Sequence, residues 1–163
     1  MATTPVPTTR ADIKALLDAI ASDPSEVRLG QALTQAQWDV LAAYMQPMEI
    51  AAGRILIAQG AEDRTLYFVE SGMLTVHFED ATGKIRLAAV GAGAVIGEGG
   101  FFSRMARSAT VQAGSACRLW TLSPMRFSEL ANRQPTVALS LAMALGAIMA
   151  RRMVSNRRKI AIT

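Results

Sequence analysis

From about Met48 to Ser123 the chain is a series of short apolar runs punctuated by glycine, and this pattern limits the fold more than any other feature. The runs are Ile55-Leu56-Ile57, Leu66-Tyr67-Phe68-Val69, Leu74 to Phe78, Ile85 to Val90, Ala109 to Ala113 and Arg118 to Leu122. Each has the length and composition of a strand. Gly53, Gly60, Gly72, Gly91, Gly93 and Gly97 fall between the runs or at their ends, where a tightly wound sheet needs positive φ or close backbone approach. Asp80-Ala81-Thr82-Gly83 reads as a hairpin turn. Many short strands with frequent turn signals predict a barrel or jelly roll.

Helical signals flank this region. Ile13, Leu16, Leu17 and Ile20 lie at helical spacing in a short helix over Asp12 to Ala21, and a second is expected from Thr34 to Met45, capped by Thr34 and ended by Pro47. Ser123-Pro124 opens a helix to about Asn132, with proline in the first turn, and a long helix follows from about Pro135 to Ile160. The expected divisions are an arm over 1–10, helices over 11–47, the strand region over 48–123 and the closing helices over 124–163. No internal repeat is present.

Composition removes several function classes. A chain of 163 residues, 51% hydrophobic, can fill one domain core. Cys117 is the single cysteine and His77 the single histidine, so neither an internal disulfide nor a Cys/His zinc cluster can be built, and catalysis by a Cys/His pair is not expected. No cofactor is expected, and His77 reads as an ordinary strand residue. The formal charge is +4, but the excess sits in Arg151, Arg152, Arg157, Arg158 and Lys159 near the end of the long helix, where cations complement its dipole. The first ten residues lack the apolar run of a signal peptide, which makes the cytoplasm the expected location. The most membrane-like stretch, Val137 to Ala150, is shorter than a span and is read as a packed or dimerising helix, so no transmembrane segment is expected.

The segment richest in chemistry runs Gly97-Glu98-Gly99-Gly100-Phe101-Phe102-Ser103-Arg104-Met105-Ala106-Arg107-Ser108-Ala109-Thr110. A glycine-rich turn entering a short helical turn exposes backbone N–H groups to an anion, and Arg107 can add a forked, charge-assisted contact to phosphate oxygens. Ser108 can donate once more. Glu98 would repel a lone anion, so its presence fits a ligand that also brings a hydroxyl donor, such as a ribose. The competing reading is local: Glu98 and Arg107 pair with each other, and the glycines merely turn the chain.

Three ordered stretches, Gly53-Arg54-Ile55-Leu56-Ile57-Ala58-Gln59-Gly60, Leu66-Tyr67-Phe68-Val69-Glu70-Ser71-Gly72 and Gly97-Glu98 to Arg107-Ser108-Ala109-Thr110, resemble the cyclic nucleotide-binding domain. The likeness is to the sensor half of bacterial catabolite activators and covers roughly Thr34 to Asn156. It implies an eight-stranded jelly-roll barrel with a phosphate-binding cassette over 97–110. In that cassette Glu98 accepts from the ribose 2′-hydroxyl and Arg107 pairs with the cyclic phosphate, with Gly97, Gly99, Gly100, Ser108, Ala109 and Thr110 around them. Gly99 departs from the family pattern, which carries an apolar side chain there; in a helical turn glycine costs roughly 0.5–1 kcal/mol relative to alanine.

Val137, Leu141, Leu145 and Ile148 form a stripe on the long helix, and Arg152 continues it. Two readings stand for Arg152. Either its stem packs while its head reaches solvent, or the helix closes over the pocket and brings Arg152 and Asn156 to the base, where the Asn156 amide can serve an adenine edge. Met143, Met149 and Met153 read as adaptable packing, and Trp38, Trp120 and Tyr67 as core or surface aromatics.

The resemblance implies a non-enzymatic regulatory sensor whose ligand is cAMP, with cGMP as the second choice because Ser108 serves either. The long helix is a candidate homodimer contact, and an unidentified protein partner would receive the signal. The helix-turn-helix domain that follows in catabolite activators has no counterpart before Thr163, so no DNA-binding domain is expected in this chain. Two alternatives remain: an interaction or dimerisation protein that binds no nucleotide, and the sensor half of a longer transcription regulator. Hydrolysis of the cyclic phosphate finds no metal-ligand cluster and no base beyond Glu98.

Overall fold

The computed structural model describes residues 10–161, with side chains over 13–155 apart from that of Arg86. In chain order the elements are α1 (Arg10–Ser22), α2 (Gln35–Ala42), β1 (Gln46–Ile50), β2 (Ile55–Ile57), β3 (Leu66–Ser71), β4 (Leu74–Glu79) and β5 (Ile85–Val90). They continue as β6 (Val95–Ile96), α3 (Glu98–Ser103), β7 (Thr110–Ala113), β8 (Cys117–Leu122), α4 (Pro124–Arg133) and α5 (Pro135–Ala161).

The eight strands make two antiparallel sheets of four, in the orders β1-β8-β3-β6 and β2-β7-β4-β5. This is the expected jelly roll, except that the two sheets face each other and do not close into a barrel. Period-two alternation explains why the first sheet is buried on both faces. Along β3, Tyr67 and Val69 join Ile50, Ile57, Leu74, Val111 and Leu119 between the sheets. Their neighbours Leu66 and Phe68 point the other way, into a core shared with α1, α2, α4 and α5. Strand β8 repeats the division, with Leu119 between the sheets and Trp120 and Leu122 under the helices. The result is three layers: helices, first sheet, second sheet. Each of these side chains, taken fully out of water, stabilises the fold by roughly 1.5–3 kcal/mol.

Helix α2 is shorter than its periodicity predicts. Thr34 caps it as expected, in a reciprocal capping box with Gln37. Its end is a tightened turn, in which the N–H groups of Ala43, Tyr44 and Met45 donate to the carbonyls three residues back. Pro47 therefore does not terminate the helix; it lies in β1, opposite Trp120. That placement is open to proline because β1 is an edge strand. Strands β1 and β6 were not among the runs read from the sequence.

Helix α5 buries Val137, Leu141, Leu145 and Ile148, the predicted stripe, together with Ala138 and Ala144. Of the methionines read as adaptable packing, Met143 and Met153 are 69% and 59% exposed, on the face turned away from the core. The helix has the length read from the sequence, but its apolar stretch is longer than the expected Val137 to Ala150: over Pro135–Ser155 it is long and apolar enough to cross a membrane by length and composition alone.

Candidate functional site

The site is assembled where β6 gives way to α3. Gly97 turns the chain at φ +88°, and a Cβ there would lie 2.7 Å from Arg107 Nη1 and 2.9 Å from the Thr65 carbonyl. Glycine is thus required twice, by its backbone angle and by the guanidinium packed against it. Beyond α3 the chain passes through Arg104, which takes the left-handed conformation at φ 58°, and returns to the turn with Arg107.

Arg107 is held at both ends. Its backbone N–H donates to the Ala61 carbonyl at 2.7 Å, and its carbonyl accepts from Gly60 N–H at 2.8 Å. The residue is only 4% exposed. There Nε and Nη2 donate to the two Asp63 oxygens at 3.3 and 2.7 Å, Nη2 also donates to the Thr65 carbonyl at 2.7 Å, and Nη1 donates to the Gly97 carbonyl at 3.0 Å. One N–H of Nη1 is not used by these bonds. The hydrogen bond from Arg107, aided by its charge and by Thr65 N–H, holds the Asp63 carboxyl below its ordinary value against the opposing effect of burial. The Tyr67 phenol moves the other way, raised first by burial and then by the Asp63 charge.

Glu98, the first residue of α3, is also buried, and Arg152 of α5 pairs with it through Nη1 while donating from Nη2 to the Val95 carbonyl at 2.7 Å. The local reading of the sequence is thereby corrected. Glu98 and Arg107 do not pair with each other; each has a partner from a distant part of the chain. Arg152, with its side chain 31% exposed, does not stand free above a base; its head is committed to Glu98 and the Val95 carbonyl. The Asn156 side chain lies outside the described residues.

The remaining cassette residues divide by exposure. Ser108 is exposed beside Arg107, while Ala109 and Thr110 are half-buried. Thr110 Oγ1 accepts from the Gln59 N–H at 3.0 Å, which fastens the far end of the segment. A Cβ at Gly100 would lie 3.2 Å from Arg107 Nη1, whereas one at Gly99 would meet nothing within 4 Å. Asp63 and Thr65 had no sequence signal, since their only link to the cassette is through space. Phe101 of α3 packs edge-to-face on Phe127 of α4, with ring centres 5.2 Å apart, which joins the cassette to the helical layer.

Two cations and two carboxylates balance here, so a singly charged anion entering the site meets no net negative field. Among the described residues no group of His, Cys, Asp and Glu could hold a metal ion. A groove of about 710 Å³ lies instead between α1 and α2 and touches none of these residues.

Residues 47–134, more than half of the chain, match the family described as the cyclic nucleotide-binding domain. The chain belongs to this family. The domain is 36% identical over 107 residues to the cAMP-activated global transcriptional regulator CRP of Escherichia coli O157:H7, covering 64% of this chain and 49% of that protein. It is 32% identical over 139 residues to Glutaminase 2 of Bradyrhizobium diazoefficiens, covering 82% of this chain and 22% of that enzyme. The domain therefore spans about half or less of these curated relatives. Among solved structures, a cyclic nucleotide-binding domain from Methylobacillus flagellatus superposes with a TM-score of 0.79 at 22% identity, over 94% of this chain and 85% of that one. The N-terminal domain of a transcriptional regulator from Streptomyces coelicolor gives 0.66 at 28% identity, over 88% and 95%.

Proposed function

We propose that the domain is a regulatory sensor that binds cAMP, with cGMP as the weaker ligand, and that occupancy rather than turnover is its output. The observation that carries this reading is Arg107: a guanidinium almost wholly buried in the cassette, fixed by Asp63 and two carbonyls, with an N–H of Nη1 left over. A cyclic phosphate beside it would take that N–H and the neighbouring Ser108 hydroxyl, and Glu98 would accept from the ribose 2′-hydroxyl. Gly97, Gly99, Gly100, Ala109 and Thr110 shape the backbone around the phosphate. Arg152 supports the scheme by neutralising Glu98, which removes the repulsion that a carboxylate would otherwise exert on the ligand.

The same contact supplies the relay. Arg152 belongs to α5 and Glu98 to the cassette, so a ligand that engages Glu98 changes what holds α5 in place. Such a switch works because the ligand binds one arrangement of the helix better than the other. Asn156, one turn beyond Arg152, is assigned to the base. The outward face of α5 carries Leu139, Met143, Gly146, Ala150 and Met153 at alternating spacings of four and three, and supports a homodimer along this helix. Gly146 meets nothing inside the chain. Close approach of a second helix gives that glycine a purpose. A cytoplasmic setting suits a sensor of this kind. A second reading, favoured by the long match to Glutaminase 2, is that the domain regulates an enzyme rather than a DNA-binding domain.

Calorimetric titration with cAMP and cGMP tests the proposal. Wild type should bind one nucleotide per chain, Arg107→Ala should lose binding, Glu98→Ala should weaken it, and Asn156→Ala should change the ratio between the two bases. Absence of heat up to about millimolar ligand, where the binding free energy is roughly 4 kcal/mol, would leave the interaction-module reading in its place.

A further inference from the structure

The two sheets leave four edge strands, β1, β6, β2 and β5, and three of them are unsuited to further pairing. Strand β1 contains Pro47, which lacks an N–H, and the acidic Glu49. Strand β6 is only two residues long, and β2 has three residues with a break in register between Ile55 and Ile57. Strand β5 is different. It has six residues, no proline, glycine or acid, and an unbroken register with β4 from Leu74↔Val90 to Glu79↔Ile85. Edge strands of this length are ordinarily guarded by proline, bulges or outward charges, because an open row of N–H and C=O groups pairs with any suitable strand.

The side chains on β5 fit the same pattern. Leu74 and Val76 of β4 point between the sheets, so Thr75, His77 and Glu79 and their partners Ala89, Leu87 and Ile85 form the outward row. Ile85 is 61% exposed and Leu87 67%. Arg86, the one charged residue of the strand, is in backbone register with Phe78.

We propose that β5 is an interaction edge whose occupant is the β5 of a second copy, running antiparallel about a two-fold axis through Leu87. The choice of occupant follows from self-complementarity. Side chains directly opposite each other must lie on one face. Leu87 therefore meets the copy's Leu87, and bulky Ile85 meets small Ala89 in both directions. In the same backbone register position 86 falls opposite 88 and position 84 opposite 90, so no two basic residues are paired. Two copies joined this way share one continuous eight-stranded sheet. The proposal is independent of nucleotide binding, and of pairing along α5.

Disulfide trapping tests it. Opposed residues of an antiparallel pair have Cα atoms about 4.5–5.5 Å apart, inside the range a disulfide spans, so oxidised Leu87→Cys should give covalent dimer at about tenfold the yield of the control. The control is Ile55→Cys, equally exposed but on the opposite edge of the sheet. Leu87→Lys should halve the assembly mass in sedimentation while its melting curve stays that of wild type. Equal trapping of Leu87→Cys and Ile55→Cys, or an assembly mass unchanged by Leu87→Lys, overturns the proposal.

Discussion

Replacing Asp63 by asparagine should destabilise the domain by an amount that depends on pH. Arg107 is 4% exposed and Asp63 47% exposed, with Nη2 and Oδ1 2.7 Å apart. Removing one partner of a fully buried pair costs roughly 3–5 kcal/mol, and of a surface pair about 0–1 kcal/mol, so this half-exposed pair falls between, at about 1–2 kcal/mol. For a chain of this length the melting temperature should fall by about 2–8 °C. The sign of the pH effect follows from the direction of the Asp63 shift. Its carboxyl is lowered in the folded state, chiefly by the hydrogen bond from Arg107, so the pair stabilises fully above the unfolded value and loses that stability as pH falls through the folded one. Asparagine has nothing to titrate. The gap between wild type and variant, measured by urea unfolding, should be constant from pH 7 to about 5 and should shrink below about 4. A gap that does not change with pH, or one below about 0.5 kcal/mol at pH 7, would refute the assigned role of Asp63.

Three further outcomes follow from the packing. Gly97→Ala forces both a left-handed alanine and a collision with Arg107 and Thr65, and should cost about 1–3 kcal/mol and abolish nucleotide binding, whereas Gly99→Ala meets open space and should stabilise α3 by up to about 1 kcal/mol; thermal melts and calorimetry check both. Trp120→Phe removes the Nε1–H that donates to Glu70 Oε2 at 2.7 Å and leaves a largely buried carboxylate short of a donor, so urea unfolding should report a loss of about 1–3 kcal/mol. Met143→Glu places a charge in the outward apolar row of α5 and should halve the assembly mass in sedimentation by breaking the pairing along that helix, without lowering the melting temperature by more than about 1–2 °C.

Much of the fold was legible because it is set by short-range rules. The runs at Ile55, Leu66, Leu74 and Ile85, the caps at Thr34 and Ser123, and the buried stripe from Val137 to Ile148 depend on side-chain periodicity and local backbone preference, and all are present. So is the cassette turn at Gly97. Strands β1 and β6 were not legible, since one contains a proline tolerated only at an edge and the other is two residues long. The exposure of Met143 and Met153 was hidden as well, because periodicity does not say which apolar face of a helix finds a core.

The charged site divides along the same line. Sequence alone picked out Glu98, Arg107 and Arg152 by residue type and place, but it offered Glu98 and Arg107 to each other as near neighbours. Tertiary structure gave Arg107 to Asp63, 44 residues away, and Glu98 to Arg152, 54 residues away. Those pairings exist because β3 lies beside β6, which brings the loop before one strand against the turn after the other, and because α5 lies across that turn. Turns and strands are set within a few residues of chain; the partner of a buried charge is set by which distant strand or helix the packing places within about 3 Å of it.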